Sequence, residues 1–133
     1  MASLNFCIRF YGQITTTPDI ATEYGDLLPE WIEIAPVKDK YKQRLLEMQI
    51  DKGESSAIAL AIEIPNSTLI LDDFKARKIA EQLGLSYTGT IGIIIKAKLQ
   101  GIIQTIKPIL SKIKQTDFRL SAIEIQALKE ANE

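Results

Sequence analysis

The sequence predicts an α/β fold with a mostly parallel sheet, and three observations carry that expectation. Short β-branched or apolar runs alternate along the chain with amphipathic stretches, the order in which strands and crossover helices follow one another. Thr68-Leu69-Ile70-Leu71 is a continuous apolar run between polar flanks, the pattern of a strand covered on both faces. That run ends in Asp72-Asp73 just before a helical pattern, the place where open α/β sheets present groups to ligands.

The elements follow in chain order. Leu4 to Tyr11 is apolar and aromatic around Arg9, which reads as a short helix or the end of one, broken by Gly12. Gln13 to Thr17 is rich in β-branched residues and reads as a strand. Pro18 then opens a helix to about Tyr24, proline being suited to the first helical turn. Trp31-Ile32-Glu33-Ile34 alternates as a half-buried strand does. Lys40 to Gln49 carries Tyr41, Leu45 and Met48 at helical spacing, and Asp51-Lys52-Gly53 punctuates it. Glu54 to Ile64 is an apolar helix with Ala57, Ile58, Ala61 and Ile62 on one side.

After the Thr68–Leu71 strand, Phe74 to Leu83 is helical and Gly84 stands where a C-capping glycine belongs. Leu85 to Thr88 reads as another strand. A helix from Ile91 to Gln100 follows, capped by Gly89 or Thr90 and closed by Gly101. Further helices are expected from Ile106-Lys107-Pro108 through Ile113 and from Ala122 to Ala131, with Phe118-Arg119-Leu120-Ser121 between them. No repeat or long linker divides the chain, so residues 1–133 are expected to form a single domain.

Composition bounds the chemistry. The 133 residues are 46% hydrophobic and 25% charged, as in an ordinary globular protein. Sixteen basic and seventeen acidic residues give a net charge of -1, so a polyanion would have to be met by charge gathered on one face. There is no histidine, which excludes Ser-His and Cys-His catalysis and His-ligated zinc. The lone Cys7 makes no internal disulfide and fits a reducing cytoplasm. The N-terminus has no signal-peptide pattern, and no apolar stretch is long enough to span a membrane.

Hydrolytic chemistry would therefore run on carboxylates. Asp72 and Asp73 at a strand end could hold magnesium or manganese, which take oxygen ligands. The competing explanation is capping, since Asp at a helix start accepts from backbone amides, and for at least one of the pair that is the stronger. Glu54 offers a further carboxylate, or simply a favourable interaction with the helix dipole. Thr88 and Thr90 flank Gly89 at a strand-to-helix junction suited to phosphate, with turn duty as the plainer role. Lys75, Arg77 and Lys78 could meet a nucleic-acid backbone, or form a solvated helix face.

Three segments in order resemble the PIN-domain family. Gly53-Glu54-Ser55-Ser56-Ala57-Ile58-Ala59-Leu60-Ala61 resembles its "GE-x-x-AI-x-LA" helix. Leu69-Ile70-Leu71-Asp72-Asp73-Phe74-Lys75-Ala76-Arg77 is similar to "LIDD-x-x-AR", and Leu83 to Gly92 to "LGL-x-x-TGT-x-G". Both belong to a VapC-like branch grouped as predicted nucleic-acid-binding proteins. The similarity runs from about Gly53 to the C-terminus and, more weakly, back to Leu4.

The resemblance implies a three-layer α/β/α domain with carboxylates around one or two magnesium or manganese ions. It implies a metal-dependent endoribonuclease acting on RNA, with homodimers common and many members toxins paired with an antitoxin protein. By motif, Glu54 takes the place of the family's glutamate and Asp73 that of its later aspartate, with Asp72 as neighbour. The next acidic position is held by Thr88-Gly89-Thr90. The first strand, which delivers an aspartate in a pattern like "V-x-D-[ST]-x-P-L", has no counterpart here, and Asp19 is not its substitute. A shortened or misassigned start, a sheet completed by a partner, or a rearrangement into a noncatalytic RNA- or protein-binding module would each account for that gap.

Overall fold

The computed structural model describes residues 6–8, 13–101, 103–108, 111 and 128–132. They fall into two compact units, residues 2–88 and the stretch from Gly89 onward.

In the first unit the strands are β1 (Phe6–Ile8), β2 (Ile14–Thr16), β3 (Ile32–Ile34), β4 (Thr68–Ile70) and β5 (Ser86–Thr88). The helices are α1 (Pro18–Tyr24), α2 (Lys40–Glu47), α3 (Lys52–Glu63) and α4 (Phe74–Gln82). The sheet order is β3-β2-β1-β4-β5. The α/β class holds: β2 pairs with β3 and β4 with β5 in parallel, each through a crossover helix.

The centre of the sheet corrects the sequence reading. Residues 6–8, expected within a helix, form β1, and it runs antiparallel to both β2 and β4. The connection explains the direction. Only residues 9–13 separate β1 from β2, whereas a parallel neighbour needs a crossover of about a dozen residues or more. The centre of the sheet is thus held by Phe6-Cys7-Ile8, which carries no carboxylate.

Helix ends follow capping chemistry. Thr17 Oγ1 accepts from Ile20 N and starts α1, and Gly25 at φ 74° ends it in the left-handed region that suits glycine. Asp39 caps α2 and Asp51 caps α3, so α3 begins two residues before the expected Glu54. Glu63 carries an unforeseen duty. Its two carboxylate oxygens accept from the backbone amides of Lys38 and Asp39, at 2.9 and 2.8 Å, fixing the entry into α2.

The core of this unit is α3. Residues 53–61 are all buried, and Ala57, Ile58, Ala59, Leu60 and Ala61 pack with Leu69 and Leu71 and with Ala76, Ile79 and Ala80 of α4. Small side chains let α3 lie close to its neighbours. On α2 the periodic residues face outward: Tyr41, Leu45 and Met48 are exposed, while Gln43 is buried.

In the second unit α5 spans Thr90–Leu99, with Gly89 at its N-cap and Gly101 beyond its end at φ 77°. Ile95 packs with Ile106 and Ala131, and Lys98 Nζ donates to the Ala131 carbonyl. The segment Phe118–Ser121 and most of the last expected helix lie outside the described residues. No described helix is long and apolar enough to cross a membrane.

Candidate carboxylate site

The site grows from two helix starts. Asp51 precedes α3, and its Oδ1 accepts the Glu54 amide at 2.8 Å. That bond fixes the first turn and sets Glu54 one turn along with its side chain only 7% exposed. Asp73 does the same for α4, its Oδ2 accepting Ala76 N at 2.9 Å. The capping expectation therefore holds for Asp73, and it still leaves the carboxylate acting on Glu54 at electrostatic range.

Glu54 is raised from 4.5 to about 7. Burial is the largest cause, followed by the charges of Asp51 and Asp73, a hydrogen bond with Asp51, and the charge of Glu23. The sequence-predicted pair Glu54 and Asp73 is thus brought into one field. Asp51 and Glu23 join it, and sequence reasoning missed both: Asp51 was read as punctuation only, and Glu23 closes α1 far away in sequence. Glu23 itself is raised, first by burial and then by Asp51, while the Gly53 amide that donates to it pulls it back down. The signal for Glu23 was the glycine: an ideal Cβ at position 53 would lie 2.7 Å from Glu23 Oε2.

Asp72 is placed differently. Its Oδ1 is 3.8 Å from Arg77 Nη2. Arg77 is likewise held by the fold, since its Nε donates to the Leu71 carbonyl at 2.6 Å and its guanidinium lies 5.7 Å from the Tyr87 ring centroid. Thr88 extends the sheet edge beside this place, its carbonyl accepting Leu71 N at 2.8 Å. Lys75 is exposed on α4. Thr90 opens α5 in the other unit.

A family model described as a PIN domain matches residues 2–133. The chain belongs to the PIN-domain family. No curated protein and no solved structure matches it. PIN domains have a nuclease-like, nucleic-acid-binding fold and generally depend on a divalent metal.

Carboxylate oxygens are the ligands hard divalent cations take, and a glutamate raised to about 7 by burial and then by the charges of Asp51 and Asp73 would be relieved by a cation. Among the described residues, however, no three Asp, Glu, His or Cys stand together as a group that could hold an ion. Two of the neighbours are engaged in capping, Asp51 on α3 and Asp73 on α4. Glu54 and Asp73 thus interact electrostatically, with Asp51 and Glu23 adding charge, without forming such a group.

Proposed function

We propose that this protein is a divalent-metal-dependent PIN ribonuclease in which Glu54 and Asp73 hold a magnesium or manganese ion. The observation that carries the reading is Glu54: a buried carboxyl raised to about 7 by burial and by Asp51 and Asp73, in the helix whose sequence resembles the family's glutamate motif. When bound, the ion would supply Lewis acidity toward water and charge neutralisation at a phosphodiester.

The residues divide the remaining work. Glu54 would give up its proton to hold a cation, taking a full negative charge. Asp73 keeps one oxygen on the Ala76 amide of α4, which holds the other in a fixed direction. Asp72, paired with Arg77, assists from the edge of the site rather than from its centre. Lys75 and the Thr88 hydroxyl are the groups offered to an RNA backbone, with Arg77 in a lesser part.

Metal affinity and rate should both be low for the family, because no carboxylate arrives on the central strand. That same observation favours the second reading, a noncatalytic RNA- or protein-binding module. The resemblance to the VapC-like branch supports extending the proposal to a cytoplasmic, homodimeric toxin held by an antitoxin protein. The unbroken family match over residues 2–133 supports treating the chain as one domain.

Calorimetry with manganese decides between the two. The wild type should bind, and a Glu54→Gln, Asp73→Asn double variant should not; asparagine retains the cap and removes only the charge. Asp73→Ala should abolish any RNA cleavage. Equal heats from wild type and double variant would sink the carboxylate site, and the noncatalytic reading would stand.

A further inference from the structure

Helix α2 is oriented against its own pattern. Tyr41, Leu45 and Met48 recur at the i, i+4, i+7 spacing of a packing seam, yet all three are exposed and Gln43 is buried instead. Polar contacts hold the helix this way round. Glu63 accepts the Lys38 and Asp39 amides at its entry, at 2.9 and 2.8 Å. Asp39 caps its first turn, and Gln43 Nε2 donates to Asp19 Oδ2 of α1 at 2.7 Å.

The apolar surface does not stop at α2. Beside Leu45 it continues into an open groove of about 600 Å³, lined by Leu45, Leu46, Ile62, Leu83, Leu85 and Lys42. The groove joins α2 to the C-terminal ends of α3 and α4, where Ile62 and Leu83 are exposed as well. A contiguous apolar face that reaches across three helices marks an interaction surface.

The charges beside the stripe say what fits it. At 3.6 residues per turn, Arg44 and Glu47 fall on one flank of the stripe and Lys42 on the other. Arg44 and Glu47 are both exposed, and neither is in an ion pair among the described residues. A basic residue followed one turn later by an acidic one complements itself when the direction is reversed. A twofold axis lying across α2 sets two copies antiparallel and turns each flank toward the same flank of its copy. Arg44 then meets Glu47 of the partner subunit, and the pair forms a second time on the other side of the axis. Tyr41 comes against Met48 of the partner subunit, a favourable sulfur–aromatic contact, and Leu45 lies at the axis. A parallel pairing would turn Arg44 toward the opposite flank and Lys42, like charge against like.

We propose that α2 and the adjoining groove form the interface of an antiparallel, twofold homodimer. The proposal rests on the homodimer put forward above, names its contact surface and is independent of the metal chemistry. Two eight-residue helices alone bury less than the roughly 800 Å² per partner of a standard interface. The dimer is therefore weak, and its population rises with concentration.

The test is sedimentation equilibrium of the full chain over about a hundredfold range of concentration. Wild type should pass from monomer to dimer. Leu45→Glu places a charge from each copy at the axis and should leave monomer only. Arg44→Glu and Glu47→Arg should each weaken the dimer by about fivefold, since each turns two exposed pairs from attraction to repulsion. An equimolar mixture of those two variants should regain the wild-type affinity, because each chain then meets opposite charge at both positions. All three positions are exposed, and circular dichroism confirms that each variant is folded.

A dimer that none of the variants weakens would overturn this interface and leave the homodimer to another surface. A chain that stays monomeric throughout would overturn both, and the face would belong to a different partner. Weakening in the single variants without recovery in their mixture would overturn the antiparallel arrangement.

Discussion

Glu23 stands in the space that a side chain at position 53 would need, its Oε2 within 2.7 Å of an ideal Cβ and its carboxylate on the Gly53 amide. The glycine of the Gly53-Glu54 motif therefore lets the end of α1 bring a carboxylate against the start of α3. No left-handed backbone is involved. The constraint is space.

Gly53→Ala separates two effects at this contact. Alanine favours a helix over glycine by up to about 1 kcal/mol, whereas the displaced Glu23 loses an exposed hydrogen bond of similar worth. Thermal unfolding should therefore shift by only a few degrees. Glu23 must swing away, so Glu54 loses one of the charges that raise it, and its pKa should fall in a carboxyl NMR titration. A large drop in Tm would mean that backbone, not a flexible carboxylate, fills the space.

Glu54 makes stability depend on pH in a defined direction. Its folded pKa, about 7, lies above the ordinary 4.5. Between those values the folded state binds more protons than the unfolded chain, so stability falls as pH rises through that window. It is full below about 4.5 and lost above about 7. With allowance for water at the rim of the site, the loss is about 1–2 kcal/mol. Urea unfolding in EDTA at pH 5 and pH 8 should show it, and Glu54→Gln should abolish the difference by gaining stability at pH 8. A Glu54→Gln variant with the wild-type pH dependence would place the titration elsewhere.

Much of this fold was legible because local signals and tertiary packing agree. Pro18, Gly84 and Gly101 mark helix ends where expected. Asp73 was readable as a cap because capping is decided within one turn. Residues 6–8 were misread because their strand character is decided by β2 and β4 on either side, not by their own sequence. The carboxylate group was half legible for the same reason. Glu54 and Asp73 announce themselves by motif, while Glu23 becomes a neighbour only through the packing of α1 on α3.

The outward face of α2 yields a prediction in which periodicity and structure disagree. A periodic stripe of Tyr41, Leu45 and Met48 would ordinarily be core, and truncating a core methionine costs about 2–5 kcal/mol. Met48 is 80% exposed. Met48→Ser should therefore change the unfolding free energy by under about 0.5 kcal/mol. A loss of 2 kcal/mol or more in chemical denaturation of the monomer would show that this face is covered.

Arg77 and Lys75 sit two residues apart on α4 and should answer differently. Arg77 donates to the Leu71 carbonyl, pairs with Asp72 and lies over Tyr87, so it ties the end of β4 to α4 and β5. Arg77→Ala should lower stability by about 1–2 kcal/mol, since a charged donor leaves a carbonyl unpartnered. Lys75→Ala should stay within about 0.5 kcal/mol, because Lys75 is exposed. In RNA binding the order reverses in meaning. Weakened binding in Lys75→Ala reports a direct backbone contact, whereas in Arg77→Ala it reports contact only if the melting curve is unchanged. Equal stability for the two variants would show that the Leu71–Arg77 hydrogen bond does not hold the strand end.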